Sequence, residues 1–280
     1  MDSGARGFPL HLWADHGSLL VKEGRRANIS KSAEQYVADT NASEEDLFYH
    51  ALAVLHAPAY RVENAGARHD WPRIPLPTDS STLKASAALG KQIAALMDTE
   101  SDVAGVTSGK VFPALKTIGL ISKTGGGQID ATGDDLKLTA GWGHFGKEGI
   151  TMPGKGKLIE REYGDDEAKA VQAEAAARGV SAGDVLQLLG DKTCDVYLNG
   201  AAYWRNVPLN VWEYTMGGYQ VIKKWLSYRE EPILGRALKP EEVREVTNMT
   251  RRIAALILLQ PALDENYRNV KARACGWPPS

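Results

Sequence analysis

The stretch from Pro240 to Leu259, PEEVREVTNMTRRIAALILL, contains the clearest helix signal in the chain. Proline is favoured at the first helical position, and Glu241 and Glu242 place negative charge at the positive end of the helix dipole. Apolar side chains then recur at the three- and four-residue steps of one helix face, namely Val243, Val246, Met249, Ile253, Leu256 and Leu259. The stretch predicts a long C-terminal helix, with Arg251 and Arg252 off its apolar seam.

Two segments upstream are also predicted to be helical. SEEDLFYHALAVLHAPAY (43–60) begins with Ser43 as a candidate N-cap, continues with acidic residues in the first turn and is limited by Pro58. SSTLKASAALGKQIAALMD (80–98) repeats apolar residues at near-helical spacing.

A helical pair is predicted further along the chain. DDEAKAVQAEAAARG (165–179) ends at a glycine, and SAGDVLQLLG (181–190) follows with Ser181 as a candidate N-cap. Two helices joined by a tight turn are typical of DNA-binding helix-turn-helix motifs. The second helix carries no Lys or Arg, which favours a structural helical hairpin.

The middle of the chain has a different character, because glycine is frequent and short β-type runs appear. DDLKLTAGWG (134–143), GITMP (149–153) and GKLIEREY (156–163) are predicted strands, as is CDVYLN (194–199). TGGGQ (124–128) is predicted to be a flexible turn, since it lacks the spacing of a phosphate-binding loop.

These elements predict an α+β fold: a mainly helical scaffold with an inserted small antiparallel β region and a long C-terminal helix. By composition the chain divides into a helical part (1–104), a β-rich part with many glycines (105–163) and a mixed part (164–280). We expect the three parts to form one compact domain.

Composition excludes several classes of protein. The chain has 280 residues, of which 43% are hydrophobic, and no apolar run is long enough to span a membrane. The N-terminal residues lack the pattern of a signal peptide, and two cysteines do not suggest a disulfide framework, so we expect a cytoplasmic protein. No zinc-binding cluster, nucleophile elbow or nucleotide-binding glycine motif is present. We therefore nominate no catalytic or metal-binding residue.

Charge is unevenly distributed although the formal net charge is only −2. Residues 105–163 carry 8 Lys and Arg against 6 Asp and Glu, and residues 217–280 carry 11 against 7. Local basic patches favour phosphate contact more than the overall sum does. The alternative is an ordinary fluctuation of charge along the chain.

Several segments together resemble a known family. FPLHLW (8–13), FYHALAVLHAPAYR (48–61), WPRIPLP (71–77), MPGKGKLIEREY (152–163) and VWEYTMGGYQVIKKWLSYR (211–229) occur in an order similar to that of type ISP restriction–modification enzymes and related large bacterial N6-adenine DNA methyltransferases. The resemblance covers most of the chain and is carried by the combination of segments rather than by any single motif.

The resemblance implies a role in DNA target recognition. In that family this region is the specificity domain, and it follows a methyltransferase domain that binds S-adenosylmethionine and performs catalysis. Nuclease and helicase domains lie further upstream. The implied partners of this chain are double-stranded DNA and a methyltransferase, and no cofactor is expected in the chain itself. It would be non-catalytic alone.

Candidate DNA contacts lie in the aromatic and basic stretch WEYTMGGYQVIKKWLSYR (212–229). Phosphate contacts are expected from Lys223, Lys224 and Arg229, because cations fix the register of a protein on DNA. Tyr219 and Gln220 are candidates for base contact, since glutamine suits adenine geometrically. The alternative is a packing corner in which the tryptophans 212 and 225 are buried and the lysines are simply solvated.

A second candidate surface lies in the middle β region. Lys147, Lys155, Lys157 and Arg161 occur near glycines, and Gly-rich loops with lysines can follow a phosphate backbone. They can equally be solvent loops.

Two other functions are compatible with the sequence. One is a protein-interaction scaffold that docks on a methyltransferase or helicase partner without contacting DNA, which the acidic blocks 1–104 and 164–216 favour. The other is an intact enzyme of unknown class, which would require a pocket with converging titratable groups.

Overall fold

The computed structural model describes residues 9–13, 25–65 and 72–276. Most of the N-terminal residues, which lack the pattern of a signal peptide, lie outside the described residues. Helices predominate and the strands are short and antiparallel, which confirms the α+β class. Contacts group the chain into two compact units, one made of residues 1–95 and 260–280 and the other of residues 96–259. The division into three parts by composition stays a prediction.

The first unit is mainly helical. Its elements are β1 (His11–Trp13), β2 (Arg25–Ala27), α1 (Lys31–Asp39), α2 (Glu44–His56), α3 (Pro58–Glu63), most of α4 (Ser80–Met97) and the end of α11 (Pro240–Ala272). The β1 and β2 strands pair antiparallel. The unit has an apolar core that includes Ala53, Val54, Leu83, Leu263 and Val270, all nearly or fully buried.

The predicted helix at residues 43–60 is confirmed and divides in two at a proline. Ser43 forms a capping box with Asp46, in which each side chain bonds the other residue's backbone N–H. Ala57 ends α2 in an extended conformation, and Pro58 then occupies the first position of α3. Proline thus limits one helix and starts the next, because its missing N–H is tolerated in a first turn.

The second unit contains a four-stranded antiparallel sheet. Its order is β3 (Leu120–Lys123), β8 (Ala202–Pro208), β7 (Thr193–Tyr197) and β6 (Leu158–Arg161), with a register irregularity between Cys194 and Val196. Two small hairpins accompany it: β4 (Gly143–Phe145) with β5 (Thr151–Pro153), and β9 (Thr215–Met216) with β10 (Tyr219–Gln220). The helices are α5 (Pro113–Thr117), α6 (Asp165–Arg178), α7 (Ala182–Leu189), α8 (Leu209–Trp212), α9 (Val221–Ser227), α10 (Glu231–Leu234) and α11 up to residue 259.

The long C-terminal helix is confirmed, but its burial is broader than the apolar seam predicts. Val243, Val246 and Ile253 are buried as expected. Arg252, predicted off the seam, is only 6% exposed. Its guanidinium donates to the carbonyls of Leu96 and Ser101, which satisfies a buried charge. The helix is therefore covered on more than one side at this level.

The prediction of a strand over residues 134–143 is wrong for most of its length. Asp134–Leu136 form a single 3₁₀ turn, and the strand β4 begins only at Gly143. The Asn199 side chain donates to the carbonyls of Asp135 and Lys137, at 3.0 and 2.7 Å. These bonds occupy acceptors that a β ladder would otherwise use.

Candidate functional site

The aromatic and basic stretch 212–229 folds into three short elements. It starts at the end of α8, forms the β9–β10 hairpin and continues as α9. Gly217 and Gly218 occupy the two-residue turn of the hairpin with φ of 58° and 85°. Two positive φ angles in succession are the requirement of a type I′ turn, so the adjacent glycines serve the backbone conformation.

The two tryptophans of this stretch form a packing corner. Trp212 is 8% exposed and its ring lies 5.1 Å from that of Trp142. Trp225 is 9% exposed and donates its indole N–H to Glu245 at 2.8 Å. The expectation that these tryptophans are buried is confirmed. Ile222 and Leu226 are buried with them, whereas Met216, Tyr219 and Tyr228 are exposed.

Two cations on and after α9, Lys224 and Arg229, lie over aromatic rings. The Lys224 ammonium lies 4.5 Å from the Tyr219 ring centroid and 4.8 Å from that of Tyr228. The Arg229 guanidinium lies 3.9 Å from the Trp225 ring. Cation–π contacts hold these charges in place. Lys223 is half-buried, and within the described residues it forms no ion pair.

The β4–β5 hairpin is attached to α9 through backbone contacts. A Cβ atom on Gly143 would lie 1.9 Å from the Ser227 carbonyl oxygen, so only glycine permits this approach. The backbone N–H of Trp142 donates to the buried Glu230 carboxylate, which follows α9 in sequence. Desolvation raises the pKa of Glu230 above its usual value, against the lowering effect of this hydrogen bond.

These contacts bring two predicted regions together into one area. We call residues 143–155 and 215–229 the hairpin–helix surface. Its cations are Lys147, Lys155, Lys223, Lys224 and Arg229, and its single carboxylate is Glu148. Tyr219 and Gln220 lie on the β10 strand within it, and the Tyr219 side chain is 51% exposed. The surface combines positive charge with exposed aromatic rings.

Lys157 lies outside this surface, on the neighbouring sheet. Its ammonium is 4.0 Å from the Tyr197 ring, which stacks at 5.1 Å on Tyr203 of the adjacent strand. The side chain is exposed and follows Lys155 by two residues. It extends the positive region along the edge of the sheet.

Arg161 is held by two carboxylates, which sets it apart from the other predicted contacts. It donates to Glu167 at 2.7 Å and to Asp195 at 3.0 Å. These partners raise the pKa of Arg161 above its usual value and compensate its charge. Its interactions are those of a structural ion pair between β6, β7 and α6, and we leave it out of the surface.

A cavity of about 260 Å³ lies elsewhere in the same unit, between residues 99–102 and one face of α11. It is lined by the carboxylates Glu100, Asp102, Glu241 and Glu245 and by Arg244 and Arg252. Across residues 9–13, 25–65 and 72–276, no group of three or more His, Cys, Asp or Glu side chains could hold a metal ion. In the same residues, no helix is long and apolar enough to cross a membrane.

The sequence did not identify Phe145, Ile150 and Met152 as surface residues. All three are large, apolar and between 46% and 61% exposed. Their exposure depends on a hairpin with strands of three residues, which is too short to show a clear alternation of polar and apolar positions. No local signal would have separated them from core residues.

Comparison with known proteins gives a family and several distant structures. The model of the type ISP C-terminal specificity domain matches residues 1–256. No curated protein matches the chain.

Three of the solved structures that match are complexes with DNA or with a DNA substrate mimic. A DrdV–DNA complex shares 18% identity over 94% of this chain and 21% of the other, with a TM-score of 0.47. A nuclease-deletion mutant of the type ISP restriction–modification enzyme LlaGI, in complex with a DNA substrate mimic, shares 16% identity. The match covers 88% of this chain and 17% of the other, with a TM-score of 0.41. The ATP-dependent type ISP restriction–modification enzyme LlaBIII bound to DNA shares 14% identity. The match covers 91% of this chain and 13% of the other, with a TM-score of 0.45. The chain thus spans about a fifth or less of those chains.

Proposed function

Because the chain belongs to the type ISP C-terminal specificity domain family, we propose that it recognises a DNA target for a restriction–modification system. It would act with an adenine methyltransferase, in cis or in trans, and would be non-catalytic alone. S-adenosylmethionine would then bind the methyltransferase, and a helicase or nuclease would be a further partner. We propose the cytoplasm as the location, in keeping with two cysteines that are both free thiols.

The hairpin–helix surface is the observation that carries this proposal. Five cations and one carboxylate give it a local positive charge on a chain whose net charge is −2. Positive charge attracts the phosphate backbone irrespective of sequence. Lys223, Lys224 and Arg229 would contact phosphates, and Lys155 and Lys157 would extend this contact along the duplex.

Sequence readout would come from the turn-proximal side chains of the same surface. Gln220 ends the β10 strand next to the exposed Tyr219 ring, which Lys224 holds by a cation–π contact. A glutamine side chain can pair with adenine through two hydrogen bonds in the major groove. Lysines at phosphates would fix the register in which Gln220 meets a base edge.

A titration of short random-sequence duplex DNA over a series of salt concentrations tests the proposal. The wild-type chain should bind with an affinity that falls as salt rises, because phosphate contact releases counterions. The double variant Lys223→Glu/Lys224→Glu should bind more weakly and lower the slope of log K against log salt by about 2.

The matched control is Lys169→Glu/Lys192→Glu, which makes the same charge change on α6 and in the turn before β7. Both lysines are exposed and lie outside the hairpin–helix surface. The control should keep the wild-type slope within error. Equal losses in the two double variants would show that only total charge matters, and would remove the proposed surface.

The exposed apolar side chains of the surface favour a second candidate function. Phe145, Ile150 and Met152 would suit a scaffold that docks on a methyltransferase or helicase without touching DNA. Binding to the catalytic part of such an enzyme, without any salt-dependent affinity for DNA, would select this function over target recognition.

A further inference from the structure

Exposed apolar side chains are concentrated on the hairpin–helix surface. Fourteen large hydrophobic side chains are exposed in the described residues, and six of them lie in residues 145–152 and 216–228: Phe145, Ile150, Met152, Met216, Tyr219 and Tyr228. Single exposed hydrophobic residues are normal on a protein, whereas a concentration of them marks an interaction site. The β4–β5 hairpin contributes half of this group.

The tip of the β4–β5 hairpin is narrow and tightly turned. Gly146 donates its backbone N–H to the Ile150 carbonyl at 2.7 Å, which closes the turn. Glu148 and Gly149 both have positive φ, of 61° and 76°. Phe145 and Ile150 therefore flank the turn directly, and they are 54% and 61% exposed. Because Phe145 pairs with Thr151, Phe145 and Ile150 lie on opposite faces of the ribbon.

The base of the same hairpin is fixed on the protein. The approach of Gly143 to Ser227 and the bond from Trp142 to Glu230 hold its first strand. Gly154 donates to the Trp142 carbonyl and holds its second strand. The contacts at the base therefore hold the exposed apolar tip in a fixed position relative to α9.

We propose that the β4–β5 hairpin is a DNA wedge that inserts Ile150 between neighbouring base pairs, while Phe145, on the opposite face of the ribbon, packs in the groove. The inference rests on the proposed function and adds a mode of action to it. Two antiparallel strands lie about 5 Å apart, and β-ribbons of this kind bind DNA in the major or the minor groove. Apolar side chains that enter the base stack from a groove unstack a step and kink the duplex.

Charge around the hairpin favours DNA over a protein as the occupant. Lys147 lies in the turn and Lys155 follows the second strand, so cations are present at both ends of the hairpin. Among the hairpin's own residues the single opposing charge is Glu148, in the turn itself, and the Glu230 carboxylate at the base is buried. Lys147, beside the tip, would contact a phosphate that flanks the opened step, and Lys155 would contact a phosphate further along the duplex.

The test measures base unstacking separately from binding. A short duplex is first recovered from a random pool by its retention on the wild-type chain. Permanganate, which oxidises unstacked thymines, is then applied to this duplex with and without protein. The wild-type chain should raise the reactivity of thymines at one step, while its affinity for the duplex falls with salt.

The variants identify the residues that open the step. Phe145→Ala/Ile150→Ala should abolish the raised reactivity and weaken binding about tenfold, while the salt slope stays unchanged. The control Ile159→Ala/Val180→Ala truncates two other exposed apolar side chains, on β6 and in the α6–α7 turn, which are 44% and 45% exposed. It should keep both reactivity and affinity. Circular dichroism melts establish that each variant folds.

Two contrary results are distinguishable. Salt-dependent binding of the wild-type chain with thymines at the level of free duplex would overturn the wedge and leave target recognition in place. The apolar tip would then be a protein-docking surface. Absence of any binding at low salt would overturn the proposed function and the wedge together.

Discussion

The α6–α7 helical pair and the hairpin–helix surface reach their conformations by different routes. The helical pair follows local signals, because Gly179 adopts φ of 69° at its turn and Ser181 caps α7 with a capping box. The hairpin–helix surface depends on distant contacts, such as Gly143 against Ser227 and Trp142 bonded to Glu230. Elements set by local chemistry are readable from sequence, whereas the surface that we propose for DNA is set by tertiary packing.

A pair of glycine substitutions gives the largest test of this contrast. Gly143→Ala should destabilise the protein by about 3 kcal/mol, because its methyl group would overlap the Ser227 carbonyl and push the hairpin away from α9. Gly179→Ala should cost about 1 kcal/mol, because it meets no atom within 4 Å and only strains a left-handed conformation.

Urea unfolding of both variants measures these free energies. Equal losses of unfolding free energy in Gly143→Ala and Gly179→Ala would mean that the close backbone approach at Gly143 restricts substitution no more than the positive φ at Gly179 does. The contrast between the two regions would then fail.

Helix caps supply a smaller test. Ser181→Ala should lower the free energy of unfolding by about 1 kcal/mol, since the hydroxyl accepts the Asp184 backbone N–H at 3.1 Å. Gln220→Ala, at the corresponding position of α9, should change stability little, because its side chain makes no cap hydrogen bond. Thermal melts of the two variants should therefore differ. A similar loss of stability in Gln220→Ala would contradict the interpretation that α9 is held by tertiary contacts rather than by its N-cap residue.

Two buried carboxylates give the smallest effect, which is confined to a range of pH. Burial raises the pKa of Glu230 above its ordinary 4.5, so the folded state binds the proton more tightly and stability falls as pH rises from 4.5 through the folded pKa. For Glu167, burial acts in the same direction, but hydrogen bonds from Arg161 and Gly164 bring its pKa below 4.5. Its contribution is present above pH 4.5 and is lost as pH falls through the folded pKa.

Unfolding free energies of Glu230→Gln and Glu167→Gln, measured against pH beside the wild type, separate these signs. Relative to wild type, Glu230→Gln should gain stability as pH rises above 4.5. Glu167→Gln should be least damaging at acid pH and most damaging near neutrality. Parallel curves for the two variants would contradict the opposite environments of the two carboxylates.

The sequence predicted α2, α3, α4, α6, α7 and α11, because several of these helices begin or end at residues with clear capping or boundary preferences. Ser43, Pro58, Gly179, Ser181 and Pro240 each occupy the capping or boundary position expected of them. The long seam of α11 was visible for the same reason, since it repeats over many turns.

The features that the sequence did not predict depend on contacts between residues that are far apart in the chain. The 3₁₀ turn at Asp134–Leu136 is accompanied by bonds from Asn199, and the burial of Arg252 depends on carbonyls more than 150 residues away. The candidate contacts at Lys155, Lys223, Lys224 and Arg229 were found from composition. Their union into one surface required the contact between Gly143 and α9.

The way the β4–β5 hairpin is attached decides which of its side chains can be substituted. Its base is held by a glycine close approach, by backbone amides and by one carboxylate, and none of these uses the side chains of residues 144–152. Phe145, Ile150 and Met152 are therefore open to exchange while the base contacts stay the same, whereas Gly146 and Gly149 are kept by the close packing and the positive φ of the turn. A combinatorial library that varies these three side chains and keeps Gly143, Gly154 and Glu230 would be a practical route to new binding preferences.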